Sequence, residues 1–160
     1  MDFKRWARHL FFPRKFPKEA LPAIEQAIKR GEATHRGEIR FAAEDALDGP
    51  ELLAGESARA RAIEVFSELR VWDTEENNGV LIYLLLADHD IEIVADRGIN
   101  ARVTRAEWER ICRGMEQGLA RGAYARAVVE GIQEISLLLA RHYPARPGGR
   151  NELPDQPVRL

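Results

Sequence analysis

The run of apolar residues from Val80 to Ala87 constrains the fold more than any other part of the sequence. It is far shorter than the ~20 apolar residues that a bilayer-spanning helix needs. It is also too apolar for a strand that exposes one face to water. Asn77, Asn78 and Gly79 precede the run and favour a turn, because Asn and Gly tolerate positive φ. The sequence therefore predicts a central strand over residues 80–86 that is covered on both faces.

The rest of the chain supplies the elements that would surround this strand. Ile39 and Phe41 alternate with charged residues in a predicted strand over 37–43, and a helix is predicted from residue 51 or 56 to residue 69. Asp88 and His89 can close a tight hairpin into a third strand over residues 90–95. Further helices are predicted over residues 17–30, 104–122 and 124–143. In the last third, Thr104 and Glu107 form a capping box.

The order of these elements predicts the fold class. A strand, a crossover helix and a parallel central strand form a βαβ unit, and the hairpin adds an antiparallel neighbour. Helices before and after the strands must then cover both faces of the sheet. We expect an α/β protein, a three-layer α/β/α sandwich built on a small mixed sheet.

The length of 160 residues indicates one domain, flanked by two segments of different composition. Residues 1–16 form a basic, aromatic N-terminal arm, residues 17–143 form the domain, and residues 144–160 form a proline-rich tail that is predicted to be disordered. The chain shows no secretory signal, and its only cysteine is Cys112. We expect a cytoplasmic protein, peripheral to the inner face of the membrane if the arm binds lipid.

The N-terminal arm places Phe3, Trp6, Phe11 and Phe12 among basic residues. A basic, aromatic amphipathic segment can lie on an anionic membrane. It can equally pack against its own domain, a protein partner or a second copy in a homodimer. Nucleic acid is the least expected partner, because the net charge is −2 and no stacking surface is evident.

Several short segments together resemble the TPM domain family over residues 17–143. Trp72, the Asn77–Leu81 segment and the strand pair ending in Gly98-Ile99 are similar to the family's central signature. A second group follows at the matching spacing, and it consists of Met115, Gly122-Ala123-Tyr124 and Gly131-Ile132.

The resemblance implies an α/β/α sandwich. Some members of the family are acid phosphatases, several bind calcium, and many are secreted or membrane-tethered. The present chain has Asp96-Arg97-Gly98 where many members have Gly-Tyr-Gly.

Polar residues fall at both ends of the predicted sheet. Asp73, Asn78 and Asp96 lie at the start of the central strand and the end of the third strand, so they are the first choice as ligands of Ca²⁺ or Mg²⁺. Arg97 beside them could neutralise a phosphate. The second choice lies at the opposite end, where parallel strands of open sheets usually bind ligands; its members are Asp45, Asp48, Asp88 and Asp90.

Two functions follow as hypotheses. In the first, the domain binds a divalent cation and has weak or vestigial phosphatase activity. In the second, it is a non-catalytic interaction module at the membrane surface or in a protein complex, and the carboxylates are structural. The sequence has no Walker loop, GxGxxG, HExxH or cysteine pair, so no catalytic residue is predicted.

Overall fold

The computed structural model describes residues 2–11 and 14–160. It contains one open sheet of four strands in the order β3-β2-β1-β4. The strands are β1 (Glu38–Glu44), β2 (Gly79–Leu85), β3 (Asp90–Ala95) and β4 (Val158–Arg159). β1 is parallel to both β2 and β4, and β3 is antiparallel to β2. The predicted βαβ unit and antiparallel hairpin are both present.

Seven α-helices accompany the sheet within the described residues. They are α1 (Phe3–Leu10), α2 (Leu21–Glu32), α3 (Gly49–Leu53), α4 (Ala58–Glu68), α5 (Arg97–Asn100), α6 (Arg105–Ala120) and α7 (Tyr124–His142). The single helix predicted near residues 51–69 is two helices, because Gly55 adopts φ +72° between them. No helix among residues 2–11 and 14–160 is both long and apolar enough to cross a bilayer.

Strand β2 lies inside the sheet and is buried along its whole length. Val80, Ile82 and Leu84 face a core formed with α2, α6 and α7. Leu81, Tyr83 and Leu85 face a second core formed with α4. Two cores on opposite faces explain why the strand has no polar face, and they confirm the predicted three-layer sandwich.

Strand β1 is also buried on both faces, although it is less apolar than β2. Ile39, Phe41 and Ala43 enter the first core. The opposite face carries Glu38, Arg40 and Glu44 in addition to Ala42, and all three charged residues are buried. This face therefore holds charges that need partners inside the protein.

The C-terminal segment differs from the predicted disordered tail. Its last residues form β4 beside Ala42 and Ala43, and Leu153 is buried in the second core. The guanidinium of Arg40 donates hydrogen bonds to the carbonyl oxygens of Pro154 and Gln156. Backbone hydrogen bonds and one apolar anchor hold the segment, and neither produces a hydrophobic period that a sequence could reveal.

Candidate functional site

A polar cleft of about 770 Å³ lies where β1 and β2 begin. Its floor is the junction between α2 and β1, and its outer wall is the segment 145–152 that follows α7. Arg36, Arg146 and Arg150 line it together with several carboxylates. This is the end of the sheet to which the first-choice ligands were assigned, but most of the residues around the cleft are different ones.

Three carboxylates converge at this end of the sheet. Glu32 is the last residue of α2, Glu38 is the first residue of β1, and Asp155 comes from the C-terminal segment. One ligand oxygen from each lies within 4.8 Å of the other two. We call these residues the acidic trio. Among residues 2–11 and 14–160, it is the only group of three His, Cys, Asp or Glu residues with this spacing.

The hydrogen bonds of the acidic trio leave one fully buried oxygen without a partner. Glu32 Oε1 accepts a hydrogen bond from the Ile39 amide at 2.9 Å, and Glu38 Oε1 accepts one from the Glu152 amide at 2.8 Å. Glu38 is only 2% exposed, and its Oε2 is buried with no partner among the described residues. A buried carboxylate oxygen without a donor is costly, so this atom needs a proton or a cation.

The two glutamates of the acidic trio have raised pKa values. Burial and the adjacent Glu38 carboxylate raise the pKa of Glu32 to about 10. Burial also raises the pKa of Glu38 to about 7, although the Glu152 amide opposes this shift. Arg40 lies near enough for Asp155 and Glu32 to act on its charge, but burial lowers its pKa. When all three carboxyls are ionised, the acidic trio carries more negative charge than the single charge of Arg40 balances.

The residues predicted as first-choice ligands are separated into different roles. Asp73 is 52% exposed at its side chain and pairs with Arg70 at 2.8 Å. Asn78 is fully buried and donates to the carbonyl oxygen of Arg36 at 3.2 Å. Asp96 caps α5 by accepting a hydrogen bond from the backbone amide of Arg97, whose side chain is exposed. Asp96 Oδ2 and Asn78 Oδ1 are buried and have no hydrogen-bond partner in the described residues.

The second-choice ligands also have separate partners. Asp45 accepts from the Phe16 amide at 2.9 Å and from Arg159 at 3.3 Å. Asp48 caps α3 in a capping box. Asp90 is half-buried. The neighbouring Glu44 is buried, bonded by Arg61 at 3.0 Å and by the Tyr83 hydroxyl at 2.6 Å.

Asp88 is held by the N-terminal arm. Arg5 Nε and His9 Nε2 lie 2.9 Å from its carboxylate, and Arg8 lies at 3.0 Å. Burial alone would raise the pKa of Asp88, but the hydrogen bonds from Arg5 and His9 outweigh it and hold that pKa below its ordinary value. The chain therefore supplies its own cations at this carboxylate.

Helix α1 uses its polar side for this attachment and exposes part of its apolar side. Phe3 is 71% exposed and Phe11 is 74% exposed, whereas Trp6 is partly buried against the second core. Phe12, which was also predicted to contact a membrane or partner, lies outside the described residues.

The sequence contained one usable signal for the acidic trio. Glu38 and Arg40 alternate with apolar residues in the strand next to the central one. In a three-layer sandwich both faces of such a strand are covered, so these charges had to be buried. Asp155 carried no comparable signal, because its position depends on the course of the C-terminal segment.

The chain was compared with known families and structures. A family model described as TPM domain matches residues 16–137. The NMR structure of BA42 protein from the psychrophilic bacterium Bizionia argentinensis matches with a TM-score of 0.80 and 28% identity, over 92% of this chain and 97% of that chain.

A more distant similarity concerns the fold alone. The N-terminal domain of a protein from P. gingivalis matches with a TM-score of 0.62 and 14% identity, over 82% of each chain. No curated protein matches this chain significantly.

Proposed function

This chain belongs to the TPM domain family, and we propose that it binds one divalent cation, Ca²⁺ or Mg²⁺, at the acidic trio of Glu32, Glu38 and Asp155. The observation that carries the proposal is the convergence of three carboxylate oxygens within 4.8 Å, one of them belonging to a buried side chain with a free oxygen. Hard cations prefer oxygen ligands of this kind.

The acidic trio leaves part of a cation's coordination open to other ligands. Ca²⁺ takes six to eight oxygen ligands, so three carboxylates leave positions for water or another ligand. Glu32 and Glu38 both border the cleft, which gives an entry path. A cation must displace the protons that burial favours, so binding should strengthen as the pH rises.

A titration with CaCl₂ or MgCl₂ tests the proposal. A ligand that binds only the folded state raises its stability by RT ln(1 + [L]/Kd). The melting temperature of the wild type should therefore rise with cation concentration. Glu38→Gln keeps the shape of the side chain and removes its charge. Because it takes away one of three carboxylate ligands, it should weaken binding by at least about tenfold, or about 1.4 kcal/mol.

Asp73→Asn provides the matched control. It removes one exposed carboxylate from the ligand set predicted by sequence and leaves the acidic trio intact, so binding should be unchanged. Loss of binding in Asp73→Asn but not in Glu38→Gln would move the site to the predicted set. No saturable binding by the wild type would contradict the proposal altogether.

We also propose that the cleft beside the cation accepts a phosphate ester and hydrolyses it weakly. Arg146 and Arg150 line the cleft with exposed side chains, and Arg36 reaches it while paired with Glu76 at 2.7 Å. Guanidinium groups suit phosphate oxygens. A bound cation supplies charge stabilisation to a phosphoryl oxygen.

Hydrolysis of p-nitrophenyl phosphate tests this second step. We expect slow, cation-dependent turnover that EDTA and Glu38→Gln both abolish, and Arg146→Gln should raise KM more than it lowers kcat. Arg121→Gln, on an exposed residue away from the cleft, serves as the control. Hydrolysis that neither chelation nor Glu38→Gln reduces would remove the phosphatase proposal and leave the cation site to be judged by titration.

The exposed apolar residues of α1 favour a second candidate function, binding to an anionic membrane. Phe3, Leu10 and Phe11 are more than half exposed, and Lys4 is exposed on the same helix. Aromatic side chains next to basic ones suit the interface of an anionic bilayer. The docking of α1 through Asp88 would hold this surface on the outside of the domain.

Co-sedimentation with phosphatidylglycerol vesicles tests the membrane function. The wild type should bind, and Phe3→Ser combined with Phe11→Ser should abolish binding. Leu137→Ser removes an equally exposed apolar residue from α7 and should have no effect. Equal binding by all three proteins, or none at low salt, would contradict a membrane role for the N-terminal arm.

A further inference from the structure

Strand β3 leaves one edge of the sheet unpaired. β3 has β2 on one side and no strand on the other within the described residues. The amide of Asp96 donates to the carbonyl of Gly79, and antiparallel pairing alternates along the strand. The amides and carbonyls of Ile91, Ile93 and Ala95 therefore point away from β2. Such an edge is a template for another strand.

A groove of about 730 Å³ runs along this edge. Its floor is the outer edge of β3, and helix α6 forms the opposite wall with Trp108, Cys112 and Glu116. Trp108 is 8% exposed, and its indole N–H has no acceptor among the described residues. The walls of the groove thus contain free backbone groups and one buried donor that lacks a partner.

Side chains already occupy part of the edge, since the Asp90 carboxylate bonds to the Ile91 backbone and the Cys112 thiol bonds to the Ile93 backbone. Arg59 of α4 donates to the outward carbonyl of Ile93 at 2.6 Å and pairs with Glu92 at 3.2 Å. Its side chain is half exposed, so it can move without disturbing a core. Its two contacts show the chemistry that the edge accepts, a donor on the backbone together with a positive charge on a carboxylate.

The charges of the groove are unbalanced. It is lined by four carboxylates and three arginines, of which Arg59 pairs with Glu92 while Arg105 and Arg113 share Glu109. Asp90 and Glu116 have no ion-pair partner among the described residues. Burial, followed by Glu92 and Glu116, raises the pKa of Asp90 to about 6, and burial followed by Glu92 raises the pKa of Glu116.

We infer that this groove binds an extended, basic peptide segment of a partner protein, which adds as a strand beside β3. The backbone of the segment would pair with Ile91, Ile93 and Ala95. Its lysine or arginine side chains would lie near Asp90 and Glu116, the two groove carboxylates that form no ion pair within the described residues. Main-chain hydrogen bonds supply affinity in strand addition, and side-chain positions supply specificity. The inference is independent of the cation site, which lies at the end of the sheet where β1 begins.

The test uses a fluorescent peptide of alternating lysine and valine, about eight residues long, slightly longer than a typical strand. Anisotropy should show saturable binding at peptide concentrations below about 1 mM. NMR should show shifts of the Ile91, Ile93 and Ala95 amides and of the Trp108 indole N–H. The same peptide N-methylated at alternate residues cannot donate to the edge and should bind at least about tenfold more weakly.

Charge variants complete the test. Asp90→Asn combined with Glu116→Gln should weaken binding roughly fivefold to tenfold, and an alternating glutamate–valine peptide should not bind. Glu130→Gln, on α7, is the matched control and should bind like the wild type. Equal affinity for the N-methylated peptide, an unchanged affinity in the double variant, or shifts confined to other surfaces would each overturn the inference.

Discussion

Two buried glutamates at opposite ends of strand β1 have different hydrogen-bond partners. Glu38 begins β1, lies under the C-terminal segment and keeps one oxygen without a partner. Glu44 ends the same strand, but Arg61 and Tyr83 fully engage it. The same residue type on the same face of the same strand is therefore satisfied at one end and free at the other. This difference places the candidate cation site at the start of the strand.

The raised pKa of Glu38 predicts that the folding stability of the cation-free protein, measured in EDTA, depends on pH. Its pKa is about 7 in the folded protein and about 4.5 in the unfolded chain. Between these values the folded state holds more protons, so stability must fall as the pH rises through this window. Glu32 extends the fall toward pH 10.

Urea unfolding at several pH values measures this effect. Between about pH 4 and pH 8, Glu38→Gln should gain on the order of 3 kcal/mol relative to the wild type, because it lacks the titrating group. Saturating Ca²⁺ should stabilise the wild type more at higher pH. Stability curves of wild type and variant that run parallel over this range would show that Glu38 is not perturbed.

Removing the cation that pairs with the buried Glu44 should destabilise the protein. Arg61→Met leaves the buried Glu44 carboxylate with only the Tyr83 hydroxyl, so it should cost about 3–5 kcal/mol of unfolding free energy. Combining it with Glu44→Gln removes the unpaired charge and should recover much of that loss. A cost below about 1 kcal/mol for Arg61→Met, measured by urea unfolding, would mean that water reaches Glu44.

At the level of elements, close approach between α6 and α7 depends on glycine. Gly114, Gly118 and Gly122 recur every four residues, and each has a different role. A Cβ on Gly118 would lie 2.5 Å from Ala127 Cβ, whereas a Cβ on Gly114 would meet nothing. Gly122 ends the helix region with φ +77°.

This contrast predicts opposite effects of one substitution in one helix. Gly114→Ala should stabilise the protein by about 0.5–1 kcal/mol, because alanine is the better helix former. Gly118→Ala should destabilise it, since α6 and α7 must separate, at a cost of roughly 1–3 kcal/mol. Thermal unfolding of the two variants is sufficient, and a stabilised Gly118→Ala would show that the two helices adjust freely.

Helices and strands with a regular hydrophobic pattern could be predicted from the sequence. β2, β3, α6 and α7 have strong hydrophobic patterns and were predicted close to their observed bounds. β4 has two residues and no pattern, and it forms because the edge of β1 and the Arg40 side chain bind the backbone of the C-terminal segment. Asp155 depends on that segment and Glu32 ends a helix without any distinctive pattern, so of the acidic trio only Glu38 could be suspected from sequence.

For the whole molecule, the C-terminal segment links the site to the sheet. It contributes Asp155 to the acidic trio, Leu153 to the second core and β4 to the edge of β1. Anything that bridges the acidic trio therefore also fastens the segment. A bound cation should therefore stabilise residues 150–160 in their folded position.

Limited proteolysis measures this consequence. Cleavage within residues 145–160 should slow by at least about fivefold in saturating Ca²⁺, because a cation bound only to the closed form lowers the population of the open form. Glu38→Gln should be cleaved at one rate with or without Ca²⁺. Equal protection of wild type and variant would indicate that Ca²⁺ acts elsewhere on the protein.

The most direct measurement is a Ca²⁺ titration followed by amide NMR. We expect saturable shifts at Ile39, Glu152 and Asp155, since the first two amides donate to acidic trio carboxylates. Those shifts should disappear in Glu38→Gln. Saturable shifts centred on Asp73 and Asp96 instead, or only small scattered shifts up to millimolar Ca²⁺, would contradict a cation site at the acidic trio.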